Sequence, residues 1–502
     1  RDRFSSAPRS VQFRTEIGRR GTRAGTRRRV MTAATVPAGE PAPGTLVCPE
    51  PAERPDLWPW TARRRDDGAL EVGEMALTDI AADFATPAFV MDRADLRGRA
   101  RVWATAMAEE FWDGYGMSGG DAFYAGKAFL CSDVVRTVTE AGMGVDTASL
   151  GELTMALRAG APPSTVGLHG NNKLDAEIET ALQAGDGQGI ERIFIDSLDE
   201  VAQIESIAAR LGATARVMIR VKTGVHAGGN EYVSTGHEDQ KFGVGAFDGQ
   251  LDEVVAAITA CPHLELRGLH SHIGSQIQGT AAFEEAAGII CELAAKVGTR
   301  VGAPLPEIDL GGGVGIAYSG VDPVPTAPVE AARAIARTVR STCDRLDIKV
   351  PRVSVEPGRS VVGPTTVTLY RVGVVKDALL ADGARRRYVS VDGGMADNIR
   401  PALYGARYTA AVANRDSQAP VVRCRVVGKH CESGDVVVWD VDLPDDVSRG
   451  DLLAVPATGA YGYSMASNYN MLTKPGVVAV EDGDARWAVR PQTIEDLLAL
   501  QG

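Results

Sequence analysis

The sequence predicts an α/β protein, in which a (β/α)8 TIM-like barrel is joined to a C-terminal all-β domain that also takes in an N-terminal strand. Eight short apolar runs, separated by helical patterns between about residue 120 and residue 360, indicate the barrel. A change to closely spaced β-rich runs after about residue 365 indicates the second domain. The length of 502 residues also exceeds what one compact domain usually holds.

The eight apolar runs are the predicted barrel strands. Such runs are buried on both faces and alternate with helices, which is typical of parallel strands. They are AFYAGKA (122–128), GVDTA (144–148), TVGLHG (165–170), RIFIDS (192–197), ARVMIRVK (215–222), LRGLHSHI (266–273), EIDLGGG (307–313) and VSVEPGR (353–359). A doubly wound open sheet is the alternative, but eight repeats favour closure.

Helix start and stop signals lie between these runs. Ser149 and Glu152 have the spacing of a capping box, and Gly160 follows as a stop. Ser197 and Gly212 bracket a second pattern with apolar residues at helical spacing.

The region 366–502 is predicted to be a β domain, a barrel or a sandwich. Its runs are TVTLYRVGVVKD, RRYVSVDGG, VVRCRVVG, DVVVWDVDLP, DLLAVPATG and GVVAVEDGDARWAV. The strand-like segment PAFVMDR (87–93) is expected to pair into it. We therefore expect an N-terminal segment at 46–95 that pairs with the β domain, and a cofactor-binding barrel at 96–365.

Residues 1–45 are expected to be a disordered leader. Arg1 to Val30 hold ten arginines and two acidic residues, as a transit peptide would. The leader lacks a hydrophobic face, however, which favours Met31 as the natural start.

Composition disfavours several functional classes. The net charge of −12 disfavours nucleic-acid binding. Seven scattered cysteines without a CxxC pair disfavour a disulfide framework and a zinc site, and they fit a cytoplasmic protein. No apolar run approaches the ~20 residues of a membrane helix. We expect neither a metal nor a nucleic-acid or membrane partner.

Polar residues cluster at the predicted carboxyl ends of the barrel strands, where the active sites of such barrels lie. They are Lys127, Asp146, His169, His270, His272, Ser275, Gly311 to Gly313, Glu356 and Arg359. A lysine inside an apolar strand favours Schiff-base chemistry, because burying an ammonium is costly. A lysine that reaches from the strand end to solvent is an equally good interpretation.

The other strand-end groups suit one ligand. Glycines at 311–313 give a phosphate access to backbone amides, although alone they indicate a tight turn. Glu356 is suited to keep a pyridine nitrogen protonated, and Arg359 to clamp an anion. His272 is suited to stack on a flat ring, whereas a lone strand histidine is more often a core residue. Together they indicate an aromatic ring that carries a phosphate and is held by a lysine.

Seven motifs in this order resemble the fold-type III pyridoxal-phosphate decarboxylases, which include diaminopimelate, ornithine and arginine decarboxylases. They are YAGKA, GVDTAS, HSHIGSQ, EIDLGGG, VEPGR, CESGD and GAY, spread from about residue 85 almost to the C-terminus. The resemblance implies pyridoxal 5′-phosphate as cofactor and a homodimer whose active sites are shared across the interface.

The resemblance also implies a role for each matched residue. Lys127 would hold the cofactor as a Schiff base, supported by Asp146. Glu356 would pair with the pyridine nitrogen, and His272 would stack on the ring. The phosphate would be bound by Ser275, Gly311, Gly312, Gly313 and Tyr461. Cys431 would reach across the dimer interface and share proton handling with Lys127, although a small buried hydrophobe is the commoner role of a free cysteine.

The stretch VDGGMADNIRPALYGA resembles the diaminopimelate-decarboxylating branch. So do GVHAGGNEYVSTGHEDQKFG and GAYGYSMASNYN, except that bulkier residues are common at Ala-Gly-Gly-Asn 227–230. In that branch the distal head of the substrate would be bound by Arg359, Arg400, Tyr404, Glu432 and Tyr461. The resemblance thus implies decarboxylation of meso-2,6-diaminopimelate to L-lysine and CO₂, the last step of lysine biosynthesis.

Two alternatives stay open. One is a related enzyme, either a decarboxylase of another basic amino acid or a barrel racemase. Arg400 with Tyr404 disfavours the former, and CESGD and the chain length disfavour the latter. The other is a non-catalytic homologue, which the presence of Lys127, Glu356 and Cys431 disfavours.

Overall fold

The computed structural model describes residues 46–225 and 241–502, apart from Asp382. The predicted leader at 1–45 and the 227–230 segment lie outside the described residues. Among the helices that are described, none is both long and apolar enough to cross a membrane.

The segment before the barrel forms a small sheet and then one strand of the β domain. Its elements are β1 (Arg63–Arg64), β2 (Leu70–Val72), β3 (Met75–Ala76), α1 (Leu77–Asp83), β4 (Ala88–Asp92) and α2 (Arg93–Glu110). The first three strands pair antiparallel with one another. Asp92 ends β4 and caps α2, because its carboxylate accepts a hydrogen bond from the Asp95 amide at 3.0 Å.

Eight parallel strands form a closed barrel, and each overlaps one of the predicted runs. The elements are β5 (Gly120–Ala125), α3 (Ser132–Glu140), β6 (Gly144–Thr147), α4 (Leu150–Arg158), β7 (Val166–Leu168), α5 (Asp175–Gly187), β8 (Arg192–Ile195), α6 (Leu198–Leu211), β9 (Ala215–Lys222), β10 (Val244–Gly245), α7 (Gln250–Ala260), β11 (Leu264–His270), α8 (Ala281–Val301), β12 (Glu307–Asp309), α9 (Pro328–Leu346), β13 (Arg352–Val355) and α10 (Arg359–Val362). Strand β8 pairs with β9, and β13 pairs with β5. This closure confirms the barrel and excludes the open sheet.

The two helices with sequence signals begin and end close to the expected residues. The Ser149 hydroxyl accepts a hydrogen bond from the Glu152 amide at 3.2 Å. The Glu152 carboxylate accepts from Ala148 and not from Ser149, so the predicted capping box is only half formed. Gly212 ends α6 with φ of +64°, a left-handed conformation that favours glycine.

The β domain follows the barrel directly. Its elements are β14 (Thr366–Leu379), β15 (Arg385–Val391), α11 (Arg400–Tyr404), β16 (Ala411–Val412), β17 (Val421–Val427), β18 (Val436–Pro444), β19 (Leu452–Val455), β20 (Gly476–Glu481), β21 (Asp484–Val489) and α12 (Ile494–Leu498). The main sheet has the order β18-β17-β15-β14-β4-β20-β21. The N-terminal strand β4 thus lies between two C-terminal strands, which confirms the predicted fold class.

The barrel and the β domain each surround an apolar core and meet beside Lys127. The amide of Tyr461 and the hydroxyl of Ser464 both donate to the carbonyl of Ala128, at 2.8 and 2.9 Å. The GAY loop of the β domain therefore contacts the end of the first barrel strand.

Candidate active site

Lys127 lies on the wall of a pocket at the carboxyl ends of the barrel strands. Strand β5 ends at Ala125, and Lys127 follows in a single 3-10 turn at Gly126–Ala128. Of the two interpretations of Lys127, the structure supports the lysine that reaches out from the strand end: the side chain is exposed and lines the pocket. The described residues provide no hydrogen-bond or ion-pair partner for its amine, which leaves that nucleophile available.

The pocket brings together residues at the ends of six barrel strands. Its walls enclose about 660 Å³ of space that no protein atom fills, its open mouth included. It is lined by Ala125, Gly126, Lys127, Asp146, Thr147, Ala148, Glu152, His169, Gly170, Arg220, Phe242, His272 and Glu356. Four residues predicted for cofactor binding are thus assembled in one cavity: Lys127, Asp146, His272 and Glu356.

Glu356 is a buried carboxylate that two histidines flank. Its Oε1 lies 3.0 Å from Nε2 of His169 and 3.1 Å from Nε2 of His270. Burial alone would raise the pKa of Glu356, but the two histidines hold it well below its usual range. The pocket therefore has an ionised carboxylate in its wall, which suits a protonated ring nitrogen.

The two histidines differ in charge. Burial lowers the pKa of His270 to about 4, so its ring is neutral at neutral pH. Burial also acts to lower the pKa of His169, but Glu356 and Asp146 outweigh it, and the pKa is raised. His169 stacks on Phe194 with centroids 3.6 Å apart and planes 12° apart. The sequence places both histidines at strand ends, in TVGLHG and HSHIGSQ, but assigns neither a role.

Asp146 is buried beside His169, with Oδ1 at 3.7 Å from Nε2. Its pKa is raised by burial and by the nearby charge of Glu356. Its closest charged neighbour is His169, so direct support of Lys127 by Asp146 stays a prediction.

The glycines at 311–313 pack too closely for any side chain. A Cβ on Gly312 would lie 2.1 Å from the carbonyl oxygen of Glu356, and one on Gly313 would lie 2.4 Å from that of Gly274. The amide of Gly312 donates to Nδ1 of His272 at 3.2 Å, which orients that ring. The Gly311 amide donates to Asp309, at 2.7 Å. Gly313 is thus the one of the three whose amide finds no acceptor among the described residues.

Two buried arginines lie at the start of short helices. Arg359 begins α10 and donates to the Ser275 hydroxyl at 2.8 Å and to the Tyr318 hydroxyl. Its guanidinium also lies 4.7 Å from the ring centroid of Tyr461. Arg359 and Ser275, predicted respectively for the distal carboxylate and the phosphate, are therefore in direct contact.

Arg400 begins α11 and donates to the Tyr408 hydroxyl. Its guanidinium lies 4.6 Å from the ring centroid of Tyr318, which also contacts Arg359. The predicted partner Tyr404 is half-buried one helical turn away. Tyr318 and Tyr408 were not singled out from the sequence, because neither belongs to a motif with recognisable chemistry.

The loop after β17 carries Cys431 and Glu432, and both side chains are exposed. The Cys431 amide donates to Asn470 at 3.0 Å, and Glu432 accepts from the Gly434 amide at 3.2 Å. Neither residue lines the Lys127 pocket of the same chain.

Comparisons with known proteins assign the family. Residues 94–363 match the model of the pyridoxal-dependent decarboxylase family, pyridoxal binding domain. A diaminopimelate decarboxylase of Mycobacterium tuberculosis is 44% identical over 452 residues, which cover 89% of this chain and 98% of that protein. One from Bacillus subtilis is 40% identical, covering 88% and 97%. The chain belongs to the diaminopimelate decarboxylase family.

Solved structures of this family have the same fold. The enzyme from M. jannaschii is 28% identical with a TM-score of 0.80, covering 88% of this chain and 98% of that one. The Helicobacter pylori enzyme, complexed with L-lysine, is 29% identical with a TM-score of 0.74, covering 85% and 99%. The predicted resemblance and the assignment as a decarboxylating enzyme are both confirmed.

The pocket fits the cofactor for which the family model is named. An amine with no partner among the described residues and an ionised buried carboxylate line one cavity, and the turn at Gly312 packs against Glu356 and donates to His272 in its wall. These are groups that would bind an aldehyde carbon, a pyridine nitrogen and a phosphate.

Proposed function

We propose that this protein decarboxylates meso-2,6-diaminopimelate to L-lysine and CO₂ with pyridoxal 5′-phosphate, as the last step of lysine biosynthesis. The observation that carries the proposal is the Lys127 cavity, which holds an amine with no partner among the described residues and the ionised Glu356. Two buried arginines, Arg359 and Arg400, lie outside the lining of that cavity and suit a second carboxylate. Arg359 lies 4.7 Å from the ring of Tyr461, whose amide donates to Ala128 beside Lys127.

At the cofactor end, Lys127 would hold the cofactor through Nζ. Glu356, oriented by His169 and His270, would hydrogen-bond the ring nitrogen. His272, fixed by the Gly312 amide, would present its ring face. Gly311, Gly312, Gly313, Ser275 and Tyr461 would surround the phosphate. When bound, pyridoxal phosphate supplies a protonated ring that takes up the electrons left by CO₂.

At the substrate end, Arg359, Arg400 and Tyr404 would bind the distal carboxylate, next to Tyr461. A substrate with amino-acid heads at both ends needs cationic donors remote from the reacting carbon. Ornithine and arginine need only an acid there, because their distal ends are cationic. The buried arginine pair therefore favours diaminopimelate over both.

We further propose a cytoplasmic homodimer with shared sites. The exposure of Cys431 and Glu432, away from the pocket of their own chain, supports their contribution to the site of a second copy. Glu432 would bind the distal ammonium there. Cys431 and Lys127 would be the two groups that pass a proton to the carbon that has lost CO₂.

The test is CO₂ release by the purified protein with pyridoxal phosphate and, separately, meso-diaminopimelate, ornithine, arginine and lysine. We expect rapid release from meso-diaminopimelate and slow release from the other three. A similar or greater kcat/KM with ornithine, arginine or lysine would overturn the proposed substrate.

A further inference from the structure

Tyr318 and Tyr408 connect the two buried arginines. Tyr318 lies in the loop between β12 and α9 of the barrel, and Tyr408 follows α11 of the β domain. Their rings meet edge to face with centroids 5.0 Å apart. Each hydroxyl accepts a hydrogen bond from one guanidinium: Tyr318 from Arg359 and Tyr408 from Arg400.

The phenols are buried partners that bring no compensating charge. Tyr318 is 6% exposed and Tyr408 is 3% exposed. Burial raises the pKa of the Tyr408 hydroxyl, so it stays neutral at physiological pH. Among the described residues, no carboxylate lies within ion-pair distance of either guanidinium. Two positive charges are thus buried against phenol hydroxyls without a carboxylate partner among the described residues, an arrangement that an anionic ligand would stabilise.

The two tyrosine rings also reduce the rotamer freedom of the arginine side chains. An arginine side chain loses substantial rotamer freedom when it is fixed, and that cost weakens binding if the ligand must do the fixing. Tyr318 contacts both guanidinium groups, at 5.9 Å from Arg359 and 4.6 Å from Arg400, measured to its ring centroid. The loop of Tyr318 is itself held, because its amide donates to Asp322 at 2.8 Å.

We propose that Tyr318 and Tyr408 position Arg359 and Arg400 in advance, and thereby set the selectivity for ligands that carry a carboxylate at the distal end. Because the cluster joins a barrel loop to the β domain, both halves of the chain contribute to this selectivity. The inference rests on the proposed function, since it concerns the site at which the distal head of diaminopimelate would bind.

The test compares two ligands that differ by one carboxylate. L-lysine keeps the carboxylate remote from the carbon that loses CO₂, whereas cadaverine lacks it. Dissociation constants of both are measured by calorimetry on the holoenzyme and on Tyr318→Phe and Tyr408→Phe. We expect each variant to bind L-lysine about tenfold more weakly, the effect of one hydrogen bond to a charged group, with cadaverine affinity changed less than about twofold.

Steady-state kinetics give an independent readout. Positioning of a binding group should raise KM for diaminopimelate by about tenfold in the variants while kcat changes far less. Tyr370→Phe is the matched control, because Tyr370 is equally buried but its hydroxyl has no hydrogen-bond partner among the described residues. It should leave both ligands and both kinetic constants unchanged.

The outcomes separate this inference from the proposed function. If the unmodified protein binds cadaverine as tightly as L-lysine, the carboxylate site itself is absent and the proposed function fails with it. If it prefers L-lysine and both variants keep that preference, the proposed function stands and the role of the tyrosines is refuted. Equal weakening of both ligands would also refute it, because the damage would be general.

Discussion

The barrel pocket and the loop that carries Cys431 differ in how their ionisable groups are compensated. In the pocket, Glu356 contacts His169 and His270, and His169 also lies beside Asp146. In the loop, Cys431 and Glu432 project into solvent. The charged groups of the Lys127 pocket therefore come from one chain, whereas the loop presents its side chains outward.

The difference follows from the cost of burying charge. Inside the pocket, the charge of Glu356 is compensated by His169 and His270 of the same chain. Exposed groups have no such constraint and are free to act across an interface between copies.

Hydrogen bonds nevertheless fix the backbone of the loop that carries Cys431. The Asp435 carboxylate accepts from the His430 amide at 2.7 Å, from Nδ1 of His430 at 3.0 Å, and from the Met395 amide at 2.7 Å. Its exposed side chains therefore stand on an ordered base, as residues that complete a partner's site would require.

The largest effect is expected in the pocket. Lys127→Ala should abolish CO₂ release and the absorbance band of the lysine-bound cofactor, because the described residues offer that amine no structural partner. The thermal unfolding midpoint should stay unchanged for the same reason. Lys349→Ala, an exposed lysine, serves as control. Near-normal decarboxylation by Lys127→Ala would show that Lys127 does not hold the cofactor.

Arg400→Ala tests the proposed binding site for the distal carboxylate. Removing one partner of a buried guanidinium–carboxylate contact costs roughly 2–5 kcal/mol, which is about thirty-fold to several-thousand-fold in kcat/KM for diaminopimelate. Arg407→Ala, an exposed arginine seven residues later, should have little effect. Cofactor affinity, titrated by absorbance, should be unchanged. A variant that instead lost pyridoxal phosphate, with normal diaminopimelate kinetics, would move Arg400 to the cofactor end.

The burial of His270 in the pocket should make the free energy of unfolding depend on pH. The pKa of His270 is lowered by burial to about 4, below its value of about 6.5 in the unfolded chain. Its contribution to stability is therefore full above pH 6.5 and is lost as the pH falls toward 4. Between about pH 7 and pH 4 the free energy of unfolding should fall by roughly 3 kcal/mol more in the unmodified protein than in His270→Asn.

Denaturant unfolding at several pH values measures this difference. His263→Asn, at a more exposed histidine that pairs with Glu205, is the control and should keep the acid sensitivity of the unmodified protein. Equal acid sensitivity of His270→Asn would mean that the buried ring does not oppose protonation as its surroundings indicate.

Subunit mixing tests the loop that carries Cys431. Of the four experiments, it has the smallest expected signal. Lys127→Ala and Cys431→Ala proteins should each be inactive, and their mixture should recover about one quarter of normal activity if hybrid dimers form at random and sites are shared. Each hybrid would then have one intact site and one doubly altered site. Exchange is verified with differently tagged chains. Absence of recovery after proven exchange would place Cys431 in the site of its own chain and remove the contrast between the two regions.

Most of the architecture could be predicted because it depends on local patterns. Each predicted barrel run overlaps one observed strand, and PAFVMDR contains β4. The choice between a buried and a strand-end Lys127 stayed open in the sequence, because the apolar run continues past Ala125, where strand β5 ends two residues before Lys127. Where a strand leaves the sheet depends on its neighbours, and the apolar pattern alone does not record that.

The sequence by itself determined the fold class, the family and which strand ends carry reactive side chains, because hydrophobic periodicity, glycine clusters and motif order are properties of the chain alone. Only the tertiary structure decided that His169 and His270 share one oxygen of Glu356, that Tyr318 lies between Arg359 and Arg400, and that Cys431 faces solvent. Tyr318 is 41 residues from Arg359, and His169 is far more distant in sequence from Glu356. Contacts over such separations, and the burial that shifts pKa values, are set by how strands and loops pack, and no local pattern encodes them.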